Sequence, residues 1–364
     1  MAIVALFFLI PATVVAVYYA ALTTLGWRST RRPGGLPPAI RFAIVVPAHD
    51  EEPVLGATLS AVAASEYPTG SVSVLVVADN CTDRTAAVAR EHGAACVERF
   101  DAVQRGKGYA LAHAIPQALA DGPDAVLILD ADCRLEPGAL AALAAELAAG
   151  ADAVQAAVTM GDPDAGPAGV VMAVGSAIEN GVQAGLSRCG GTVRLRGTGM
   201  AFRREVLHRH PWQTFGLAED AEYGAVLRKA GVRVRFVPDA VVRNAPPAGV
   251  ADLCKQRERW RAALFVGGAS VFDRLTASKP LILAHLAATV PLAAVASVEF
   301  FAWGLTLVGI TGLVYARAIR RAGVSPRAAL GLWRTPAVVA RLAWVTAGGV
   351  VSRGGAWVRT PRVA

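Results

Sequence analysis

The chain has few cysteines, and few of its basic residues are lysines. Its 364 residues include five cysteines without paired spacing, so the sequence predicts neither a zinc site nor a disulfide framework. Scattered free thiols fit a cytosolic domain. The 36 basic residues include only four lysines, and no basic stretch is interleaved with aromatic residues. We therefore expect no nucleic-acid partner.

Two common nucleotide-binding motifs are also absent. No G-x-G-x-x-G follows the first predicted strand, which argues against a dinucleotide site, and no G-x-x-x-x-G-K-S/T phosphate loop is present. The chain also has no internal repeat. The candidates for a binding site are therefore the polar residues at the ends of the predicted strands.

Charged residues are missing from the first 27 positions, in a chain whose mean hydropathy is +0.43. This apolar run is long enough to span a bilayer core of about 30 Å. In a cleaved signal peptide basic residues precede the apolar run, whereas Arg28, Arg31 and Arg32 follow it. We predict a transmembrane anchor at 1–27 and a Pro/Gly-rich linker at 28–39, with the N-terminus outside the cytoplasm.

A second apolar block, at 280–316, is about twice as long as one crossing requires. Basic residues begin at Lys279 on one side and at Arg317 on the other, and both should face the cytoplasm. Two tightly connected helices meet that requirement. Glu299 would be costly against lipid, so we expect it at the turn or inside the bundle. For 336–351 an interfacial helix and a third crossing are alternatives.

These segments predict a multi-pass protein of the plasma membrane. A cytoplasmic domain at 40–265 follows the linker, and an interfacial connection at 266–279 leads into the hairpin. A basic tail at 317–364 ends the chain. The net charge of +8 is concentrated beside the apolar segments, where basic residues meet anionic headgroups.

The cytoplasmic domain alternates short apolar runs with Ala-rich helical stretches, which predicts an α/β fold with a mostly parallel, Rossmann-like sheet. The predicted strands are Phe42–Val46, Val72–Ala78, Ala125–Leu129 and Ala153–Val158. The predicted helices lie near Val54–Ser65, Thr85–His92, Gly108–Leu119 and Ala139–Ala149.

Asp130 and Asp132 follow the third predicted strand. In an extended strand this spacing would place both carboxylates on one face, at the sheet edge where open α/β sheets bind ligands. Two adjacent carboxylates repel each other, and a divalent cation shared with a diphosphate would relieve that repulsion. The alternative is that the two aspartates only cap the next helix.

The first two predicted strands also end in polar residues, at 47–52 and 79–83, although acids there could simply begin helices. Lys107 lies between two glycines ahead of a helix, in a loop suited to phosphate or base contact or to an ordinary turn.

Five motifs in this order resemble the family 2 glycosyltransferases, the inverting GT-A group that includes cellulose, hyaluronan and ceramide-glucose synthases. They are Pro47-Ala48-His49-Asp50-Glu51, Ala78-Asp79-Asn80-Cys81-Thr82-Asp83, Asp130-Ala131-Asp132, Ala218-Glu219-Asp220 and Gln256-Arg257-Glu258-Arg259-Trp260. The resemblance implies a GT-A fold, a UDP-sugar donor, and Mg²⁺ or Mn²⁺. It also implies a lipid or saccharide acceptor, and it is compatible with a homo-oligomer.

The resemblance also implies roles for individual residues. Asp220 aligns with the general base, Asp132 with the metal ligand, and Asp130 with a residue near the metal, the ribose or the donor sugar. The residues implied to bind the donor nucleotide are Pro47, His49, Glu51, Asp79, Lys107, Asp130, Gln256, Arg259 and Trp260. The family usually has Asn in place of Asp50 and a second Asp in place of Ala78.

Two of these roles have structural alternatives. Glu219 could raise the pKa of the neighbouring Asp220, or it could be an ordinary acid at a helix N-terminus. Trp260 could line the acceptor site, or it could pack on the domain, because Leu253, Trp260 and Leu264 recur at helical spacing.

Three functions follow from the sequence. The first is a membrane glycosyltransferase that adds one hexose to a lipid or membrane-associated acceptor. The second is a processive polysaccharide synthase, which the Gln256–Trp260 motif and Trp357–Arg362 favour, although few crossings are predicted to enclose a polymer. The third is a non-catalytic membrane scaffold, which the retention of Asp132 and Asp220 argues against.

Overall fold

A computed structural model describes residues 1–28, 40–68, 70–244, 253–254 and 279–348. In this part of the chain the centre of the fold is an eight-stranded sheet in the order β3-β2-β1-β4-β7-β6-β8-β5. The strands are β1 Phe42–Ala48, β2 Val72–Asp79, β3 Ala95–Arg99, β4 Ala125–Ile128, β5 Cys133–Leu135, β6 Ala153–Met160, β7 Met200–Arg203 and β8 Val234–Asn244.

The sheet is mixed but mostly parallel, as predicted: six of its eight described strands run in one direction, and β5 and β7 run the opposite way. Strands β3, β2, β1 and β4 are parallel to one another, as expected for βαβ units. Strand β7 runs antiparallel to both neighbours, β4 and β6, and β5 runs antiparallel to β8. The two reversed strands, β5 and β7, are three and four residues long, and neither carries an alternating apolar pattern long enough to detect in the sequence.

Helices cover both faces of the sheet. The helices of the sheet domain are α2 Glu52–Ala63, α3 Thr85–Glu91, α4 Lys107–Ala120, α5 Ala139–Ala148, α6 Pro167–Arg188, α7 Arg204–Arg209 and α8 Glu219–Lys229. Alternate residues of β1 face opposite layers because side chains alternate along a strand. Ile44 packs with Leu55 of α2 and Leu143 of α5, whereas Val45 packs with Leu111 of α4. All four predicted strands and all four predicted helices of this domain are present.

The remaining helices are apolar and lie at the two ends of the sequence. They are α1 Ala2–Gly26, α9 Lys279–Ala296, α10 Val298–Arg321, α11 Pro326–Ala329 and α12 Thr335–Gly348. Among the described residues, α1 and α10 are long and apolar enough to cross a membrane, by length and composition. Glu299 lies exposed in the first turn of α10, where α9 and α10 meet. Their insertion in a membrane stays a prediction.

The C-terminal ends of α1 and α10 lie together beside the sheet domain. Arg321 donates a hydrogen bond to the Trp27 carbonyl, and Arg317 donates one to Thr24. The last turns of α1 pack closely on α6: a Cβ atom added to Gly185 would lie 2.1 Å from the Leu22 carbonyl oxygen. This close approach joins the first apolar helix to the sheet domain.

Helix α12 covers most of the predicted segment 336–351. Its 14 residues are about 21 Å long, shorter than a bilayer core, and it packs against α6 and α9. Val338 and Leu342 are buried there with Met172, Leu253 and Cys254. Because residues after 348 lie outside the described part, both alternatives for this segment stay predictions.

Candidate functional site

The polar residues singled out in the sequence meet at one edge of the sheet. Strands β2, β1 and β4 are parallel neighbours, so their carboxyl ends lie side by side. Residues 47–52 lie at and after the end of β1, 79–83 at and after the end of β2, and 129–132 after β4. Ligands of open α/β sheets bind at this edge. The fold thus brings together residues that are more than 80 positions apart in the sequence.

Asp79 is held in a buried ion pair at the end of β2. Its Oδ1 atom lies 2.6 Å from a guanidinium nitrogen of Arg99, which also contacts Asp101 at 3.2 Å. Nδ1 of His49 lies 2.7 Å from the Asp79 carbonyl oxygen. The side chain of Asp79 is only 7% exposed, so Arg99 compensates its charge. Arg99 was not predicted as a site residue, because the strand that ends there was not predicted.

An aromatic pair continues this pocket. The Arg99 guanidinium lies 5.9 Å from the centre of the Tyr109 ring, and Tyr109 stacks on Phe215 at 4.4 Å. Phe215 is partly exposed at 43%, so the stack has an open side. A flat, partly exposed aromatic surface beside Asp79 suits a planar base.

Asp50 and Asn80 both have left-handed backbone conformations, with φ of 52° and 53°. Asn and Asp adopt this conformation more readily than other side chains do, which explains how Asp50 can stand where the family usually has Asn. Oδ1 of Asp50 accepts hydrogen bonds from the Thr82 amide at 2.6 Å and the Asp83 amide at 3.3 Å. Although burial raises the pKa of Asp50, these hydrogen bonds outweigh it and lower the pKa.

Pro47 and Glu51 lie on either side of this turn. Pro47 is a half-buried residue of β1, in register with Val77 of β2. The Glu51 amide donates to Oγ1 of Thr85 at 2.8 Å, which ties the start of α2 to the start of α3. The two loops after β1 and β2 are thereby joined into one pocket wall.

Asp130 and Asp132 lie in a turn and not in an extended strand, which corrects the predicted geometry. Strand β4 ends at Ile128, and the Cys133 amide donates to the Asp130 carbonyl at 3.0 Å. The turn still brings the two carboxylates together: ligand atoms of Asp130, Asp132 and Cys133 all lie within 4.8 Å of one another. Asp132 is buried, whereas Asp130 is partly exposed.

The chemistry of this cluster fits a hard divalent cation. Two carboxylates are the protein ligands that Mg²⁺ and Mn²⁺ favour. Burial raises the pKa of the Cys133 thiol well above its ordinary value, with the neighbouring Asp132 and Asp130 adding to the effect. The thiol therefore stays protonated and leaves the two aspartates as the metal-binding groups.

Lys107 contacts three separate segments of the site. Its Nζ atom lies 2.6 Å from Oδ1 of Asp130 and 3.5 Å from Oε1 of Glu219, and it donates to the Gly197 carbonyl at 2.7 Å. Burial alone would lower the pKa of Lys107, but Asp130 and Glu219 outweigh it and raise the pKa. Lys107 is therefore a permanent cation in the middle of an acidic cluster.

Glu219 and Asp220 form the first turn of α8 and face this cation. Burial raises the pKa of Glu219 to about 7, with Lys107 opposing and Asp220 adding to the rise. Burial also raises the pKa of Asp220, against the lowering effect of Lys107. Oδ1 of Asp220 accepts a hydrogen bond from the Ala221 amide at 2.8 Å. Asp220 thus has the raised basicity that a proton acceptor requires.

Gly197 gives Asp220 and Lys107 room to approach. It has a φ of 78°, and a Cβ atom at this position would lie 3.3 Å from Nζ of Lys107 and 3.6 Å from Oδ2 of Asp220. The next residue, Thr198, accepts a hydrogen bond from the Asp130 amide at 3.1 Å. The segment 197–198 therefore joins the acidic turn after β4 to the start of α8.

The buried side-chain amide of Gln155 holds this segment through hydrogen bonds. Nε2 of Gln155, in the middle of β6, donates to the Thr198 carbonyl at 2.9 Å. Its Oε1 accepts from the Arg196 amide at 2.9 Å, and the Arg196 guanidinium donates to Oδ1 of Asn180 at 2.8 Å. Sequence reasoning missed this network, although a Gln in an otherwise apolar strand was the available signal.

Three of the predicted site residues, Gln256, Arg259 and Trp260, lie outside the described residues, and their roles stay predictions. The structure brings the others to one edge of the sheet. It places Pro47, His49, Glu51 and Asp79 on one side, and Lys107, Asp130, Asp132 and Asp220 on the other.

The chain is similar in sequence to known glycosyltransferases. The chain is 26% identical over 244 residues to a probable glycosyltransferase of Bacillus subtilis, YdaM, covering 60% of this chain and 54% of YdaM. It is 28% identical over 254 residues to an N-acetylglucosaminyltransferase of Rhizobium meliloti, covering 61% and 55% of the two chains. The chain therefore spans little more than half the length of these relatives.

The fold is shared with a solved structure across nearly the whole chain. The mannosyltransferase PcManGT from Pyrobaculum calidifontis, solved with GDP-Man and Mn²⁺, superposes with a TM-score of 0.63 at 19% identity. The match covers 95% of this chain and 98% of PcManGT. The sequence model described as "Glycosyltransferase like family 2" matches residues 37–263, more than half of the chain. The chain belongs to this glycosyltransferase family.

Proposed function

We propose that the protein transfers a hexose from a nucleotide sugar, UDP-linked by the resemblance, to an acceptor hydroxyl, with inversion at the anomeric carbon. One observation carries this proposal: the ammonium group of Lys107 pairs both with Asp130, in the turn after β4, and with Glu219, at the start of α8. In this proposal one cation contacts both Asp130, beside the proposed metal ligand, and Glu219, beside the proposed base.

Donor binding is assigned to the pocket after β1 and β2. The stack of Tyr109 on Phe215 offers a surface for the base, and the Asp79–Arg99 pair offers both an acceptor and donors for its edge. Pro47, His49 and Glu51 complete the wall. Gln256, Arg259 and Trp260, outside the described residues, are assigned by resemblance to the floor where diphosphate and acceptor meet.

Asp132, assisted by Asp130, is proposed to hold Mg²⁺ or Mn²⁺. When bound, such a cation supplies positive charge against the charge that develops on the departing diphosphate. Lys107 contributes a second positive charge from the protein itself, because it stays ionised at the same place.

Asp220 is proposed to accept the acceptor's proton. Its carboxylate is half-buried, has a raised pKa, and lies beside Gly197, where the absence of a side chain leaves room for the acceptor. General base catalysis of this kind contributes typically about 10²–10⁴-fold to the rate. Glu219 contacts the same Lys107 ammonium group, and burial, together with repulsion from Asp220, raises the pKa of Glu219.

The apolar helices support a membrane-bound enzyme with its sheet domain in the cytoplasm. The N-terminus of α9 and the C-termini of α1 and α10 carry basic residues, including Lys279, Arg28 and Arg321. Basic flanks favour the cytoplasmic side. We accordingly propose a plasma-membrane enzyme whose acceptor is a lipid or another membrane-associated molecule.

The test is a transfer assay with the full-length protein in lipid nanodiscs. UDP-sugars and GDP-sugars are supplied one at a time, with and without Mg²⁺ or Mn²⁺, together with a membrane lipid extract. Metal-dependent release of the nucleoside diphosphate with a one-sugar lipid product supports the proposal. A polymer ladder would instead support a processive synthase. No donor binding and no turnover by a folded protein would support a scaffold.

A further inference from the structure

The turn that carries Asp130 and Asp132 is held by two buried threonine hydroxyl groups from other parts of the chain. Oγ1 of Thr58, on α2, donates a hydrogen bond to the Ala131 carbonyl at 2.7 Å. Oγ1 of Thr198 accepts a hydrogen bond from the Asp130 amide at 3.1 Å. Thr58 and Thr198 are only 1% and 2% exposed. Two consecutive residues of the turn are therefore fixed through their main-chain groups.

Thr58 lies on the buried face of α2, which is otherwise apolar. The buried residues of this helix are Val54, Leu55, Thr58, Leu59 and Val62. A hydroxyl group buried on such a face needs a hydrogen-bond partner, because burial without one is unfavourable. The partner of Thr58 is 73 positions away in the sequence, in the middle of the aspartate turn.

A buried threonine of α1 shows the ordinary behaviour of this side chain in a helix. Threonine hydroxyl groups in helices commonly donate to the carbonyl four residues earlier. Thr23, which is 1% exposed, does so: its Oγ1 atom donates to the Tyr19 carbonyl at 2.6 Å. The hydroxyl group of Thr58 instead reaches out of its own helix to Ala131. The contact of Thr58 is thus a tertiary contact with the turn.

Thr198 is itself held firmly by the sheet. Nε2 of Gln155, which is fully buried in β6, donates to the Thr198 carbonyl at 2.9 Å. The amide of the next residue, Gly199, donates to the Ile128 carbonyl at 2.9 Å, at the end of β4. Because its carbonyl and the following amide are both bonded, Thr198 offers the Asp130 amide an acceptor in a fixed position.

The main-chain conformation of the turn determines how Asp130 and Asp132 meet. Their ligand atoms and Sγ of Cys133 all lie within 4.8 Å of one another. Residues 130–132 are not in an extended strand, so the turn and not the pleat of a strand sets this separation. Two carboxylates at this distance repel each other until a cation binds. Contacts that fix the main chain therefore favour the geometry that is ready for a cation.

We infer that Thr58 and Thr198 are positioning residues for the divalent cation. Their hydroxyl groups hold the main chain of residues 130 and 131 so that the carboxylates of Asp130 and Asp132 converge on one ion. The inference rests on the proposed function and adds to it two residues from outside the five sequence motifs. Removing a group that orients a metal ligand typically changes metal affinity by about 10–100-fold.

The experiment measures Mn²⁺ binding by the full-length protein in lipid nanodiscs. Electron paramagnetic resonance reports the free Mn²⁺, with and without UDP or GDP. Thr58→Val replaces the hydroxyl group by a methyl group of similar size, whereas Thr58→Ser keeps the hydroxyl group. We expect Thr58→Val to raise the dissociation constant of Mn²⁺ about fivefold or more, and Thr58→Ser to stay within about twofold of the wild type.

Thr23→Val is the matched control, because it removes an equally buried hydroxyl group from a helix that does not contact the turn through it. Its Mn²⁺ affinity should equal that of the wild type. Thr198→Val and Thr198→Ser form a second pair with the same expectation as the Thr58 pair, and they test the inference even if Thr58→Val fails to fold.

Nucleotide affinity in EDTA separates loss of the cation from a general loss of structure. Neither threonine acts on the nucleotide, so this metal-free affinity should stay within about twofold of the wild type in Thr58→Val and Thr198→Val. The concentration of Mn²⁺ that gives half-maximal transfer should rise in these variants by the same factor as the dissociation constant.

The outcomes distinguish this inference from the proposed function. Equal Mn²⁺ affinity in the wild type and both Val variants would overturn the positioning role even if transfer is normal. Equal losses in the Val and Ser variants at each position would also overturn it, because the hydroxyl group would not be the cause. Mn²⁺ binding that depends on the threonines, without transfer from any donor, would support the positioning role and count against the proposed function. Absence of Mn²⁺ binding by the wild type would overturn both the positioning role and the proposed metal site.

Discussion

Nζ of Lys107 lies 2.6 Å from Oδ1 of Asp130, so the first residue of α4 is fixed to the turn that follows β4. The same ammonium group also contacts Glu219, which precedes the proposed base. One side chain thus sets the electrostatic environment of the candidate metal ligands and of the candidate proton acceptor. This coupling makes the pH dependence of transfer a direct reporter on the site.

Replacing Lys107 by Met should move the acid side of the pH–rate profile to higher pH. Lys107 lowers the pKa of both Glu219 and Asp220, so its loss makes each carboxylate harder to ionise. We expect a shift of about one pH unit or more, equivalent to about 1.4 kcal/mol per unit. Lys107→Arg keeps the charge and serves as the control. Identical profiles for Met and Arg would contradict this role.

Replacing Glu219 by Gln should have the opposite effect. The pKa of Glu219 is raised to about 7, so near neutral pH the Glu219–Asp220 pair carries a shared and incomplete negative charge. Removing one member relieves the repulsion, and the acid limb of kcat/KM should move to lower pH. The measurement is the pH–rate profile between pH 5 and 9, on the order of half-unit steps. A shift to higher pH would contradict this coupling, and loss of transfer at every pH would instead indicate that Glu219 is the proton acceptor.

Replacing Asp132 by Ala should weaken metal-dependent nucleotide binding. Asp132 is buried beside Asp130, and a hard cation held by both would lose one of its two protein ligands. Calorimetry with the nucleoside diphosphate, with and without Mn²⁺, measures the effect. Asp152→Asn changes an exposed aspartate in the loop before β6 and should leave binding unaltered. Equal metal dependence in wild type and Asp132→Ala would remove this assignment.

Replacing Gly185 by Ala should destabilise the packing of α1 on α6. The added Cβ would lie 2.1 Å from the Leu22 carbonyl oxygen, and overpacking of this kind costs about 1–3 kcal/mol. Gly175, on the same helix, has open space around its Cβ position, so Gly175→Ala should be neutral or stabilise by up to about 1 kcal/mol. Thermal unfolding monitored by tryptophan fluorescence compares them, since Trp27 lies at this contact. Equal midpoints would show that the helices adjust freely.

The sequence predicted strands β1, β2, β4 and β6 and helices α2 to α5, except for their exact ends, because the strands are apolar runs separated by amphipathic or Ala-rich helices. Strands β3, β5, β7 and β8 were not predicted. Of these, β5 and β7 are only three and four residues long. Strands this short are stabilised by their neighbours and carry no pattern of their own.

Some residues of the candidate site could be predicted from the sequence, and others could not. Aspartates that follow a predicted strand, such as Asp79 and Asp130, were identifiable from position. Arg99 and Gln155 were not, because their roles arise from pairing between distant segments: Arg99 compensates Asp79, and Gln155 supports Thr198. Such partners depend on tertiary contacts, which local pattern does not encode.

The role of Asp220 is tested by comparing Asp220→Asn with the wild type in two measurements on one preparation. Nucleoside diphosphate binding is measured by calorimetry, and sugar transfer by product formation from the active donor. We expect transfer to fall by about 10²-fold or more while nucleotide affinity changes little, because Asp220 acts only on the acceptor proton. Transfer at the wild-type rate would contradict the assignment of Asp220 as the base.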